Sequence, residues 1–265
     1  MKKLFVLILL SFSLNFAIAQ EGQLDFTEKQ SDWGFHLTPY ALLASQSTDV
    51  GGQKIRQSFS DLASITNAGF QIVAGIRYKR LSLNFDGTFA RLGEEFPDPP
   101  LLVDLKVKQQ ILDLRLRYIL FESYESGQNG VIKGWSVAAN AGPKIWRNNL
   151  ELDYSLVFGD RVLDEGTLSE DQKWTDLMLG LRSQFIISSK FLVTVDGSIG
   201  GFGWGNSSDF SSDLTYLNSF KIAKHILINA GFRSFRYSRT DPSDTGDLST
   251  KVKVQGPILG VSFVY

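Results

Sequence analysis

Cysteine is absent from the sequence, and histidine and methionine occur only twice each. Without cysteine the chain can form no disulfide, thiolate metal site or cysteine nucleophile, and it lacks the acylated cysteine of a bacterial lipoprotein. An excess of either charge is also missing, because 27 basic and 28 acidic residues leave a net charge of −1. Such a balance provides no general basic field, so we expect no nucleic-acid partner.

Long apolar runs are missing after the first twenty residues, so no later segment is a candidate transmembrane helix. At the N-terminus two lysines precede an apolar stretch that ends near Phe16, and the small-residue triplet Ala17-Ile18-Ala19 follows. This layout is typical of a cleavable secretory signal, while an uncleaved anchor helix is disfavoured by the shortness of the run. We assign residues 1–19 to a signal peptide, 20–32 to a short N-terminal segment and 33–265 to one domain.

The rest of the sequence shows repeated alternation of apolar and polar residues. In LSLNFDGTF, Leu83 and Phe85 share one face of a strand, whereas Asn84 and Asp86 share the other. The segments LDLRLRYIL, WSVAANAGPKI and FLVTVDGSI repeat the pattern. A period of two predicts β-strands, and the second face carries too much charge for a dry core.

Two all-β architectures are compatible with this alternation. A soluble sandwich turns its apolar faces to a shared core, whereas a transmembrane barrel turns them to lipid and lines its interior with the polar faces. The barrel is favoured by apolar faces of about ten residues, the length of a tilted spanning strand. Aromatic residues also cluster near the predicted strand ends, as in the aromatic girdles of such barrels. These are Trp33, Tyr78, Tyr118, Trp135, Trp174, Trp204, Tyr216 and Tyr265.

We therefore predict a closed antiparallel up-and-down transmembrane β-barrel of about ten strands, with eight and twelve as alternatives. Tight turns at Lys79-Arg80, Ser188-Ser189 and Ala223-Lys224 would face the periplasm together with both termini. Three longer segments would be outer loops, at residues 46–66, 93–102 and 148–173. The predicted strands cover residues 33–45, 67–79, 80–92, 103–121, 134–147, 174–187, 190–204, 212–222, 225–239 and 250–265.

The charges on the polar strand faces would lie inside the barrel. A ten-stranded lumen is filled mostly by side chains, and charges of both signs should pair there, because an unpaired buried ion is costly. The predicted lumen network is Arg77, Asp86, Asp113, Arg115, Arg117, Lys144, Asp176, Arg182, Asp196 and Arg233.

Most acidic residues fall in the predicted outer loops or at the adjoining strand ends. A solvated, self-repelling surface explains this distribution, and divalent-cation binding is the alternative, although the loops lack calcium-loop spacing. The acidic set is Asp49, Asp61, Glu94, Glu95, Asp98, Asp104, Glu151, Asp153, Asp160, Asp164, Glu165, Glu170, Asp171, Asp209, Asp213, Asp241, Asp244 and Asp247.

The final segment, GPILGVSFVY, alternates Leu259, Val261, Phe263 and Tyr265 with smaller residues. It resembles the C-terminal strand of bacterial outer-membrane β-barrels, whose last aromatic residue serves as an assembly signal. LTPYALLA, SFSDLASITNAGF, LMLGLRSQF and TVDGSIGGFG also resemble motifs of a largely uncharacterised Gram-negative family of such barrels. The resemblance implies an outer-membrane location, with lipid, lipopolysaccharide and the barrel assembly machinery as partners, but no reaction.

Two function classes remain open at this stage. One is a structural or surface-interaction barrel with acidic loops and a mostly filled lumen, and the other is a narrow pore or carrier for small polar solutes. An outer-membrane hydrolase is disfavoured, because both histidines, His36 and His225, fall near the periplasmic rim. No cofactor is expected. Residues 58–65 are either a short interfacial helix, a lumen plug or a simple loop.

Overall fold

The computed structural model describes residues 32–96, 100–126, 132–158, 161–241 and 248–265. The predicted signal peptide and residues 20–31 lie outside this range. The described elements are β1 (Trp33–Leu42), β2 (Ser45–Val50), β3 (Gln53–Gln57), α1 (Phe59–Ile65), β4 (Thr66–Tyr78), β5 (Leu81–Phe96), β6 (Leu101–Ser126), β7 (Ile132–Phe158), β8 (Arg161–Ser188), β9 (Phe191–Gly201), β10 (Phe210–Ala223), β11 (Ile226–Asp241) and β12 (Leu248–Val264).

Ten strands, β1 and β4 to β12, form a closed antiparallel barrel in sequence order. Strand β12 pairs with β1 to close it, and Phe263 lies opposite Leu37. Closure leaves no unpaired edge at membrane depth, as a bilayer requires. The predicted all-β, ten-stranded barrel is confirmed. Strands β2 and β3 are additional, since β2 continues beyond β1 along the far half of β12.

The side-chain arrangement is inverted relative to a soluble protein. Leu116, Leu181 and Leu259 point outward and remain 52%, 55% and 53% exposed. Buried positions on the barrel strands include charged or amide residues such as Arg115 on β6 and Asn140 on β7. This arrangement explains the alternation in the sequence, because the apolar strand faces contact lipid and the polar faces line the lumen.

The two ends of the barrel differ in construction. The "turn end" contains the tight turns at Lys79-Arg80, Ser189-Lys190 and Lys224-His225 and both described termini. The opposite "loop end" contains the β2–β3 hairpin and residues 202–209. In outer-membrane barrels short turns face the periplasm, and we orient this barrel by that rule.

Three neighbouring strands continue far beyond the membrane at the loop end. Strands β6, β7 and β8 contain 26, 27 and 28 residues, whereas about 9 to 11 suffice to span a bilayer. Their outer parts, residues 101–109, 148–158 and 161–173, form a paired "outer sheet". The prediction that 93–102 and 148–173 are loops is therefore wrong over most of their length. Above the membrane both sheet faces meet water, so the sequence there loses much of its amphipathic signal.

The predicted outer loop at 46–66 also contains regular structure. Strands β2 and β3 form a hairpin, and helix α1 follows with a capping box between Ser58 and Asp61. The side chain of Asp61 accepts a hydrogen bond from the Ser58 backbone N–H, which lowers the pKa of Asp61. No residue of α1 is buried, so this segment is a helix but not a lumen plug. No helix among the described residues is long and apolar enough to cross a bilayer.

The aromatic residues divide into two groups. Trp33 and Tyr78 contact each other at the turn end, with ring centroids 4.8 Å apart and both side chains exposed, as expected for a girdle. Trp174 was also expected in a girdle, and this is wrong. It is 2% exposed and points into the lumen, where it packs on Trp146.

Candidate functional site: the barrel lumen

A "charged layer" of four ionised residues crosses the middle of the lumen. Lys144 Nζ lies 2.9 Å from Asp213 Oδ2. Arg233 lies 2.6 Å from the same oxygen and 2.7 Å from Asp86 Oδ2. The Tyr40 hydroxyl donates to Asp86 at 2.8 Å and accepts from Arg233 at 2.8 Å. Because the four charged residues and Tyr40 come from five strands, this network connects the barrel wall across its interior.

A second ion pair lies next to the charged layer, toward the turn end. The Arg115 guanidinium donates to both carboxylate oxygens of Asp113, at 2.7 and 2.5 Å. A third bond runs from Arg115 to the Asn140 side-chain oxygen at 3.1 Å. Both charged side chains are at most one-tenth exposed, so this is a bidentate pair in a nearly dry setting.

Closer still to the turn end, two arginines share one carboxylate. Arg117 lies 3.0 Å and Arg182 lies 3.4 Å from the same Asp196 oxygen. Arg117 also donates to Asn84 at 3.2 Å, while its Nε is buried without a hydrogen-bond partner. This group is less completely paired than the charged layer.

On the loop side of the charged layer the lumen is filled by an "aromatic plug" of Trp146, Trp174, Phe235 and Tyr237. The two indole rings stack with centroids 5.7 Å apart, and Tyr237 packs within about 5 Å of both. Apolar residues complete the cluster: Ile111, Val252 and Val254. Lys144 Nζ sits 4.8 Å from the Trp146 ring, so the plug and the charged layer are in contact.

The plug is joined to the loop between β9 and β10 through Asp176. This side chain is fully buried and accepts from Trp146 Nε1 at 2.9 Å. It also accepts from the backbone N–H and the hydroxyl of Ser208, at 2.8 and 3.0 Å. The loop reaches this position through Gly201, Phe202, Gly203 and Gly205, all with positive φ. The loop of residues 202–209 is therefore anchored to the plug through the buried Ser208.

Between the charged layer and the turn end lies a cavity of about 320 Å³, the "turn chamber". Its walls include Arg117, Arg182, Asp196, Thr194 and Asn229. It extends to Leu192, Leu227 and Val264, residues at or next to the strand ends that adjoin the turns. The lumen is thus filled on the loop side and hollow on the turn side.

Nine of the ten residues assigned to the lumen network line the interior in this way. Arg77 differs, because it lies at the turn end and donates to the Lys79 carbonyl at 3.2 Å. Asp213, assigned to a loop-side strand end, is the fourth residue of β10 from that end, but its side chain points into the lumen and is 7% exposed in the charged layer. Because Leu214 and Tyr216 face outward, the alternation along β10 already predicts an inward position for Asp213. The same alternation along β1 predicts an inward position for Tyr40.

The two histidines lie toward the turn end. His36 lines the turn chamber. The His225 ring stacks on Tyr265 with a centroid distance of 4.8 Å, and its Nδ1 lies 2.9 Å from the Val264 carbonyl. Neither histidine hydrogen-bonds a serine or carboxylate side chain within the described ranges. Those ranges also contain no cluster of three or more potential metal-ligating residues.

The residues of the predicted assembly signal lie on one face of β12. Leu259, Val261, Phe263 and Tyr265 are 53%, 37%, 39% and 61% exposed and point toward lipid. Tyr265 exchanges two backbone hydrogen bonds with Phe35, at 2.8 and 2.9 Å. The last residue of the chain is thus part of the seam that closes the barrel.

The outer sheet combines acidic and apolar groups on its surface. Lys106 lies 2.8 Å from Asp104 and 3.0 Å from Asp153, and these hydrogen bonds raise the pKa of the lysine. A hydrogen bond from the Thr167 hydroxyl and then Lys106 lower the pKa of Asp153. Phe158, Leu163 and Leu168 remain 76%, 61% and 62% exposed. Such exposed apolar groups in water are typical of contact surfaces.

No protein-family model matches the chain, and no curated protein sequence matches it. Solved structures do match. Outer membrane protease OmpT from Escherichia coli is similar with a TM-score of 0.54 and 10% identity, over 90% of this chain and 100% of that one. Ail, the attachment invasion locus protein of Yersinia pestis, has a TM-score of 0.32 and 13% identity, over 89% and 100%. Neisserial surface protein A gives 0.31 and 12%, over 89% and 99%.

At these identities the likeness concerns the fold alone, and only the first of the three has a TM-score above 0.5. The fold and the apolar exterior agree with the predicted location in a bacterial outer membrane. The resemblance stated from the sequence is confirmed at that level: the chain has the fold of an outer-membrane β-barrel.

Proposed function

We propose that this protein is a surface-interaction barrel with a sealed lumen, whose working part is the outer sheet. The observation that carries the proposal is the closure of the lumen by the charged layer and the aromatic plug, next to strands that rise far above the membrane. A fully packed constriction would block the passage of solutes through a pore. In a barrel that presents a binding surface outside the membrane, the same packing makes the barrel more rigid.

The surface of the outer sheet suggests the chemistry of its partner. Its β7 and β8 parts contain more acidic than basic residues, and exposed apolar side chains lie among them. We infer a partner with a basic, partly apolar surface, in addition to the lipid and lipopolysaccharide around the barrel. Recognition of this kind weakens as salt is added, because exposed charges are screened. The proposal includes no catalytic step.

Two measurements test this function. The refolded full chain in planar bilayers should show no stable open steps, and steady conductance would contradict the sealed lumen. A variant in which a two-residue turn replaces residues 149–171 should still insert, because Asn148 and Gln172 are register partners. Cells displaying the full chain should be retained on a cationic surface more strongly than cells displaying this variant. Equal retention, or retention insensitive to salt, would contradict the surface role.

A further inference from the structure

We propose that the turn chamber is a binding site for a small hydroxylated organic acid, whose carboxylate is received by Arg182 and Arg117. The site lies on the periplasmic side, at the opposite end of the barrel from the outer sheet. It therefore does not depend on the surface role proposed above, and the two can fail separately.

The first argument is charge balance. In the charged layer Lys144 and Arg233 are matched by Asp86 and Asp213. The Asp113–Arg115 pair is balanced as well. The remaining two guanidiniums, on Arg117 and Arg182, share one carboxylate within the described residues. The fifth carboxylate of the lumen, Asp176, lies beyond the charged layer on the loop side. The two guanidiniums therefore keep a local excess of one positive charge, which an anion in the chamber would offset.

The second argument is the availability of donors. Arg182 makes one bond to Asp196, at 3.4 Å, and its side chain keeps 26% of its exposure inside the lumen. A guanidinium carries five N–H donors in a planar fork that fits two carboxylate oxygens. Arg182 can therefore donate hydrogen bonds to the carboxylate of a ligand in the chamber. The neighbouring Arg117 is fixed in place by its bonds to Asn84 and Asp196.

The third argument concerns the rest of the ligand. A chain of neutral hydrogen bonds lines the wall, from Ser219 to Asn229 at 2.7 Å, Asn229 to Ser262 at 2.7 Å, and Ser262 to Thr38 at 2.7 Å. Hydroxyl and amide groups keep further donor or acceptor capacity after one bond. They would suit the hydroxyl groups of a sugar acid. A volume of about 320 Å³ also lies at the small end of the range for small-molecule sites.

Access is available from one side only. The charged layer and the aromatic plug fill the loop side, whereas the chamber walls reach the strand ends at the turn side. A ligand would therefore enter from the periplasm and would not pass to the exterior. The site is a blind receptor and not a transport path.

The test uses D-gluconate and sorbitol, which differ mainly by the carboxylate. Calorimetric titration of the refolded full chain should show binding of gluconate and none of sorbitol. The variant Arg182→Gln should bind gluconate about tenfold more weakly or worse, because it loses a charge-assisted hydrogen bond. The matched control Arg236→Gln removes an arginine from outside the chamber, stacked near Phe210, and should bind as the parent does.

A variant with the opposite expected sign guards against unfolding as an explanation. Asp196→Asn removes the carboxylate that competes for the same guanidiniums, so gluconate should bind more tightly. Heat-modifiable migration on a gel would show that each variant is folded. Equal binding of sorbitol, unchanged affinity in Arg182→Gln, weaker binding in folded Asp196→Asn, or occupation by chloride only would each overturn the site.

Discussion

The ammonium group of Lys144 lies 2.9 Å from the carboxylate of Asp213, although the two residues belong to β7 and β10 and are 69 positions apart. Their side chains are 1% and 7% exposed. Strands β7 and β10 are not neighbours in the sheet, so this contact crosses the lumen. It makes the filled interior a part of the fold and not a passive lining.

Removing one partner of this pair should destabilise the barrel strongly. Lys144→Met leaves Asp213 buried with Arg233 as its one remaining cation. Loss of a partner from a buried ion pair costs up to about 3–5 kcal/mol. The unfolding midpoint in denaturant, measured on detergent-folded protein, should fall accordingly. Lys106→Met removes an exposed lysine from a similar acidic pair and should change the midpoint far less. Equal shifts in the two variants would show that the charged layer has no special role.

The aromatic plug should be required for a sealed lumen. A double variant Trp146→Ala, Trp174→Ala removes two stacked indole rings, and a single buried Trp→Ala change already costs about 3–5 kcal/mol. We expect lower stability together with measurable conductance in planar bilayers. Trp135→Ala, which removes an indole that is 44% exposed to lipid, should stay silent. A silent, folded double variant would mean that the charged layer alone closes the lumen.

The sequence predicts the barrel well, because lipid outside and charge inside impose a strict alternation on every spanning strand. That constraint ends where the strands leave the membrane. Residues 161–173 contain Asp164, Glu165, Glu170 and Asp171 without a clear apolar face, yet they pair with β7. Such a strand is held by backbone hydrogen bonds, which do not depend on side-chain type and therefore leave no pattern in the sequence.

The candidate site was predictable in part for the same reason. Alternation predicts that Arg117, Arg182 and Asp196 lie inside the lumen. It does not predict which cation pairs with which carboxylate. Register and strand tilt decide those pairings. Arg233 on β11, for example, bonds Asp86 on β5, although β12, β1 and β4 lie between these two strands in the barrel. Trp174 was misplaced because a tryptophan near a strand end has the same sequence pattern whether it faces lipid or lumen.

The outer sheet should loosen in acid through Asp153. Its carboxylate has a pKa below the ordinary value of 3.8, because Thr167 and Lys106 donate to it in the folded state. A depressed pKa contributes stability above the unfolded value, and that contribution is lost as the pH falls through the folded value. Hydrogen exchange of residues 148–173 should therefore differ between the parent and Asp153→Asn at pH 7 and converge in strong acid. A constant difference at all pH values would exclude this carboxylate as the cause.

The C-terminal strand should control assembly. Phe263→Ala combined with Tyr265→Ala removes both aromatic residues of the proposed signal, and Tyr265 also lies in the closing seam with Phe35. We expect little heat-modifiable protein in the outer membrane of expressing cells. The matched double variant Tyr216→Ala, Phe232→Ala removes two lipid-facing aromatics that are register partners elsewhere and should still assemble. Normal insertion of the first variant would leave the resemblance of this strand without a function.

The orientation of the barrel can be tested by labelling, because the chain contains no cysteine. If the outer sheet faces the medium, a cysteine at Asp164 on intact cells should react with an impermeant thiol reagent. A cysteine at Lys79, in the tight turn between β4 and β5, should react only after the cells are opened. The reverse pattern would place the acidic sheet in the periplasm and the turn chamber at the cell surface. The surface role would then be lost, while the chamber could still bind its acid, now from the medium.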